Sequence, residues 1–230
     1  MQFKNNIQKK QNKISVGIGV IAYSRPDHLE KLFSSLRDQE VQHFSVFVDG
    51  SDDHSVRNKQ EKIFELINNI DWAKVNLIVR PKNLGLRKSI ITSVTEILSE
   101  YESVILLEDD TIPKAGFFEY MVKVLNDYKQ YPQIRGVCGY QIPTLFANSS
   151  QINSYCLSRF IPWGWGTWRD RWMDYETDIH TLINKVLESG IKEELPTDIK
   201  KYIENDPSFL DTNEVWSINW TLIHYLTNTY

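Results

Sequence analysis

The sequence predicts an α/β fold in which a mainly parallel central sheet is flanked by helices. Two observations predict it. Short apolar runs alternate with segments whose apolar residues recur at i, i+3, i+4 and i+7. The repeat is about 30 residues, the spacing of strand–helix–strand crossovers. The apolar runs are also continuous, as in strands covered by helices on both faces.

Each element follows in order. Residues 14–23 form the first strand, and Pro26 and Asp27 open a helix with Leu29, Leu32, Phe33 and Leu36 on one face. Residues 44–48 are a second strand, and Ile63, Leu66, Ile67 and Ile70 repeat the helical spacing. Residues 75–79 are a third strand, followed by the turn Asn83-Leu84-Gly85 and a helix marked by Ile90, Ile91, Val94, Ile97 and Leu98. Residues 104–107 are the fourth strand and run directly into Glu108-Asp109-Asp110.

The second half changes character. Phe117, Phe118, Met121, Leu125 and Tyr128 mark one more amphipathic helix, and residues 135–140 read as a strand. Trp163, Trp165, Trp168 and Trp172 then crowd together, with Gly164 and Gly166 between them. Helices are expected around residues 179–187 and 197–204, and Asp211 or Thr212 can cap a last helix with Glu214 in its first turn. With no repeat or linker, one domain over residues 1–230 is expected. It has a flexible tail at 1–13, one half at 14–112 and a second half at 113–230.

Composition narrows the function classes. The 230 residues carry 26 Lys and Arg against 30 Asp and Glu, a net charge of -4. No global attraction to nucleic acid follows from that balance. The many aromatic and β-branched residues exclude disorder. Two cysteines, Cys138 and Cys156, are too few to staple a chain of this length and suit a reducing compartment. Lys9, Lys10 and Lys13 before an apolar run imitate a secretory leader, but no small-residue cleavage pattern follows. No apolar run reaches the length of a membrane span.

In parallel sheets, ligands bind beyond the carboxyl ends of the strands. The sharpest signal lies there. Glu108-Asp109-Asp110 is a self-repelling cluster unless a cation neutralises it. Its hard oxygens suit Mn2+ or Mg2+, with phosphate oxygens and water completing the shell. The alternative is a solvated acidic turn. Asp49-Gly50-Ser51 follows the second strand, and Asp49 is placed to accept from a nucleotide base or ribose; the alternative is plain turn chemistry. Arg87 and Lys88 begin a helix and could face a diphosphate, or be an ordinary solvated pair. Trp163, Gly164 and Trp165 suit a platform for the apolar face of a sugar, while Trp168 and Trp172, four apart, are expected to pack as helix core. The five histidines show no zinc spacing, and no Gly-rich phosphate loop or nucleophile elbow is present.

Taken together, these residues resemble the GT-A glycosyltransferases, which share the nucleotide-diphospho-sugar transferase fold. Val20-Ile21-Ala22-Tyr23-Ser24-Arg25-Pro26 is similar to the opening strand of glycosyltransferase family 2. Glu108-Asp109-Asp110 resembles the Glu-Asp-Asp form of the family's metal motif, as in N-acetylglucosaminyltransferase I, and Trp163-Gly164-Trp165-Gly166 resembles a Gly-Trp-Gly-Trp element of that enzyme. The resemblance implies a metal-dependent transferase moving a sugar from a nucleotide-diphosphate donor, UDP-linked by analogy, to a glycan or lipid-linked acceptor. It implies donor contacts from Ala22, Tyr23, Arg25, Asp49, Arg87, Glu108 and Asp109, and a metal on Asp110. The matching base element would be Trp216-Ser217-Ile218-Asn219-Trp220, which holds no carboxylate, so Glu214 just upstream is the candidate base. The resemblance also implies that relatives usually continue past the position of Tyr230, where a further segment could carry acceptor contacts or a metal ligand. A cytoplasmic protein working at the inner membrane face is implied as well. Two readings compete: a nucleotidyltransferase, which would want a Gly-rich basic loop in place of Tyr23-Ser24-Arg25-Pro26, and a binding module of the same fold that has lost catalysis.

Overall fold

The computed structural model describes residues 14–140, 155–205 and 215–230. The expected tail at 1–13 lies outside the described residues. In chain order the elements are β1 (Val16–Ala22), α1 (Pro26–Asp38), β2 (His43–Val48), α2 (His54–Asn68), β3 (Lys74–Val79), α3 (Leu86–Glu100), β4 (Ser103–Glu108), α4 (Phe117–Tyr128), β5 (Val137–Cys138), β6 (Trp165–Trp168), α5 (Arg169–Trp172), α6 (Ile179–Ser189), a 3-10 turn (Ile191–Glu194), α7 (Thr197–Asn205) and α8 (Trp216–Thr227).

The sheet order is β3-β2-β1-β4-β6-β5. β1 to β4 are parallel, with Ala22 opposite Val48, Ile21 opposite Glu108 and Val48 opposite Val79. β6 then runs antiparallel to β4, with Leu106 opposite Trp165, and β5 antiparallel to β6. The α/β reading from the sequence is the observed architecture. Residues 135–140 contribute only a two-residue strand. The backbone N–H groups of Arg135 and Gly136 donate to the carbonyl of Tyr230, and Tyr230 N–H donates to Gln133 O at 2.8 Å. The N–H groups just before β5 are thus taken by Tyr230.

Strand alternation divides the core between the two sheet faces. Val104 and Leu106 of β4 join a cluster with Ile21, Phe47, α3, α6, α7 and α8. Ile105 and Leu107 join another with Val20, Val46, α1, α2 and α4. On the first face, Gly17 and Gly19 let α3 lie close: a Cβ on Gly19 would sit 2.6 Å from the Ile97 side chain. Trp168 and Trp172 are both buried, but on opposite faces. Trp168 ends β6 and donates its indole N–H to Leu125 O at 2.9 Å, whereas Trp172 closes α5 and donates to Thr95 Oγ1 at 3.0 Å. They are core, as expected, without sharing a helix face.

Local signals set the helix starts. Pro26 lies in the first turn of α1, and Asp53 caps α2 by accepting from Ser55 N–H and Val56 N–H. Before α3, Gly85 adopts φ +77, a left-handed value that glycine takes without strain.

Candidate active site

Because β1, β2 and β4 are parallel, their carboxyl ends share one edge of the sheet. The register brings Tyr23-Ser24-Arg25, Asp49-Gly50-Ser51 and Glu108-Asp109-Asp110 together there. Gln60, buried on α2, ties two of these segments: its side-chain amide donates to Tyr23 O at 3.0 Å and to Asp49 O at 2.7 Å. Tyr23 donates its hydroxyl to Ser51 Oγ at 3.3 Å and accepts from Asn83 Nδ2 at 3.1 Å. Gly50 has no room for a side chain, since a Cβ would meet Arg80 O at 2.6 Å.

The carboxylates differ in their surroundings. Asp109 is buried, Glu108 partly buried, and the Asp110 side chain 47% exposed. The Arg25 guanidinium forks across Asp109 and Asp110, with 2.9 Å from Nη1 to Asp110 Oδ2 and a short ion pair to Asp109 Oδ1. Burial, then the charges of Asp110 and Asp109, push the Glu108 carboxyl up to about 7, while Arg25 offsets part of the rise. Burial also raises Asp109, against the hydrogen bond and charge of Arg25. A set of hard oxygens with more negative charge than one guanidinium cancels fits a divalent cation of the Mn2+ or Mg2+ kind. Among the described residues no three His, Cys, Asp or Glu side chains form a cage for a metal ion. Among the described residues, Asp110 is the most exposed carboxylate of the three and the one open to such a cation.

Other expected positions have these surroundings in the structure. Asp49 is buried, and its carboxylate accepts from Leu84 N–H at 2.9 Å and Ser89 Oγ at 3.2 Å. These bonds fasten the turn before α3 at the same edge of the sheet. Ala22 is buried in the core, leaving only its backbone at the edge. Arg87 donates from Nη2 to Thr177 O at 2.6 Å and also hydrogen-bonds Tyr175, so it joins α3 to the chain after α5. Trp165 is 1% exposed, with its ring 5.0 Å from that of Trp216 and 5.2 Å from Phe160. Its place on β6 turns it into the core, so it is no sugar platform.

Trp163 does face outward, 54% exposed, with the edge-on ring of Tyr140 at 4.6 Å. Gly164, at φ +65, makes the bend between these two tryptophans. A Cβ there would lie 3.5 Å from Leu107, the residue before Glu108. Asp211, Thr212 and the candidate base Glu214 lie outside the described residues, and α8 begins at Trp216.

Gln60, Ser51, Asn83 and Tyr140 were missed as site residues. Gln60 had a signal, as it falls at the i and i+3 spacing with Ile63 on the buried face of α2. Tyr140 had none, because its partner lies 23 positions away. Two cavities, of about 390 and 550 Å3, open elsewhere: one beside β5, Tyr128 and His224, the other beside Arg135 and Lys185. Neither is lined by Glu108, Asp109 or Asp110, though Tyr140 lines the first.

The structure is similar to the mannosyltransferase PcManGT from Pyrobaculum calidifontis, solved in complex with GDP-Man and Mn2+, at a TM-score of 0.56 and 13% identity over 92% of this chain and 74% of that one. It superposes more loosely on 4-diphosphocytidyl-2C-methyl-D-erythritolsynthase from Anaerococcus prevotii, with a TM-score of 0.43 and 9% identity over 88% and 85% of the two chains. HddC from Yersinia pseudotuberculosis gives a TM-score of 0.36 and 18% identity over 49% and 55%. Among curated proteins none matches the sequence significantly. The profile described as Glycosyl transferase family 2 matches residues 17–171. That span runs from β1 through the carboxylates to α5, well over half of the chain, and the protein belongs to glycosyl transferase family 2, with the GT-A fold.

Proposed function

We propose that this glycosyltransferase uses a divalent cation and a nucleoside-diphosphate sugar, and passes the sugar to a hydroxyl of a glycan or lipid-linked acceptor. The observation that carries this reading is the placement of Glu108, Asp109 and Asp110 at the end of β4, beside the Tyr23, Ser51 and Asn83 cluster. Tyr23, Ser51 and Asn83 offer hydroxyl and amide groups to the nucleoside. Asp110 would hold the cation, which when bound acts as a Lewis acid on the leaving diphosphate. Glu108, with its carboxyl at about 7, can accept from or donate to a ribose or sugar hydroxyl near neutral pH. In the transfer the acceptor oxygen bonds to the anomeric carbon as the bond to the diphosphate oxygen breaks. The hydroxyl proton passes to a carboxylate base, a role this reading leaves to Glu214. The exposed edge of Trp163 and Tyr140 offers ring faces to acceptor sugars.

The test is thermal unfolding with UDP, GDP, CDP, ADP and dTDP, each with and without Mn2+. A ligand at about 100 times its Kd stabilises by about 2.7 kcal/mol. The expected result is a shift with one nucleotide, only when Mn2+ is present, and lost in Asp110→Ala. No shift with any nucleotide would overturn the reading.

A further inference from the structure

Arg25 is the only ion-pair partner of Asp109 and Asp110 among the described residues, and it holds both at once. Its planar fork takes one oxygen from each carboxylate, a geometry that a lysine cannot copy. The two ends of the fork are unequal. The Asp109 side chain is 4% exposed, whereas Asp110 is 47% and Arg25 itself 46% exposed. The Asp109 pair is thus the buried anchor, and the Asp110 pair is at the surface, where exchange of partners costs little.

We propose that Arg25 is an internal counter-ion that keeps a bare divalent cation off Asp110 and releases that carboxylate only when cation and nucleoside diphosphate arrive together. The inference rests on the metal and donor reading of this same site. The physical argument is one of charge. A dication on Asp110 alone must settle beside a guanidinium that is already there, and the two like charges repel. A diphosphate changes the balance. Its oxygens neutralise the cation and also give Arg25 a bidentate partner to replace Asp110. Asp109 keeps Arg25 at the site during the exchange. Metal and donor then load as a pair, and the empty site does not collect a cation that would have to be shed before a donor enters.

Mn2+ binding read by the spin-resonance signal of the free ion tests this without turnover. The titration is made with Mn2+ alone, then with Mn2+ plus GDP or UDP, on the wild type, Arg25→Gln and Arg25→Lys. Wild type should bind Mn2+ alone weakly and gain affinity with the diphosphate. Arg25→Gln should bind Mn2+ alone about ten-fold tighter or more, the size expected for removing one neighbouring charge, and should gain less from the diphosphate. Arg25→Lys, which keeps the charge but not the fork, should fall between. If Arg25 only balances the buried Asp109, Mn2+ affinity without nucleotide will be unchanged or weaker in both variants, and the proposal fails while the metal site stands. Should Arg25→Gln not fold, as circular dichroism would show, Arg25→Met, which also removes the charge, decides: Mn2+ affinity equal to wild type overturns the proposal. Absence of Mn2+ binding in the wild type even with both diphosphates overturns the function reading and this inference together.

Discussion

Glu108 is largely buried beside two other carboxylates, and its protonation follows from that. Its carboxyl is raised from 4.5 to about 7, so the folded chain binds more protons than the unfolded one between those values. The stability tied to this proton is complete below the lower value and is lost as pH rises toward the higher one, by at most about 1.4 kcal/mol for each pH unit. Glu108→Gln keeps the shape and removes the charge. Measured by urea unfolding without metal, the variant should gain on the wild type as pH goes from 5 to 7.5. A difference that does not change with pH would show that Glu108 is ionised throughout. At this scale the sequence made the carboxylates visible, because three in a row after an apolar strand need no tertiary knowledge. It did not show their partners. Arg25 is 85 positions from Asp110, and Leu84 is 35 from Asp49.

The element that the sequence described least well is β6. Its first residue, Trp165, looks like part of a ligand platform with Trp163 and Gly164 when no neighbours are known. In the structure β6 is an internal antiparallel strand, with all four residues buried. Gly166 makes that position possible, since a Cβ there would sit 2.6 Å from the carbonyl oxygen of Val104 on β4. A backbone atom in a central strand cannot move aside. Gly166→Ala should therefore destabilise by about 1–3 kcal/mol, the usual cost of overpacking. In a chain of this length about 2–4 °C of Tm is lost for each kcal/mol. A scanning calorimetry Tm equal to that of the wild type would mean that β6 slides past β4 without cost. The first four strands were legible because their period and continuity are local. The hand-over from parallel to antiparallel pairing was not, because it depends on which edge of β4 is still open.

Across the whole molecule, the second half is held by rings. Trp165, Trp172, Tyr175, Trp216 and Trp220 pack against one another, and His224 of α8 lies against Phe160 and Trp220 at 5.9 and 5.4 Å. Among the described residues neither nitrogen of His224 meets a partner of normal geometry, and the backbone of Ser158 compensates only weakly. Burial and the charge of Arg135 push its pKa down to about 3 from 6.5. His224 therefore stays neutral in the folded chain. Its stabilising contribution is complete above 6.5 and is lost as pH falls below that value, by up to about 1.4 kcal/mol for each pH unit. This runs opposite to Glu108, so each is read against its own variant. His224→Leu should narrow its stability deficit relative to the wild type, or reverse it, as pH drops from 7 to 5 in urea unfolding. A constant gap would mean that the imidazole gains a proton without leaving the core.

The alternation of strand and helix, the parallel first half and the row of polar groups past the strand ends were determined by the sequence alone. Each is written in residue spacing and in what must follow a buried strand. The tertiary structure decided which of those polar groups remain open. Asp49 and Arg87 are taken by Leu84, Ser89 and Thr177, Trp165 is turned inward, and Arg25 bridges two carboxylates. A hydrophobic period repeats within one helix or strand, whereas the partner of a polar side chain belongs to an element tens of residues away, and only folding sets the distance between them.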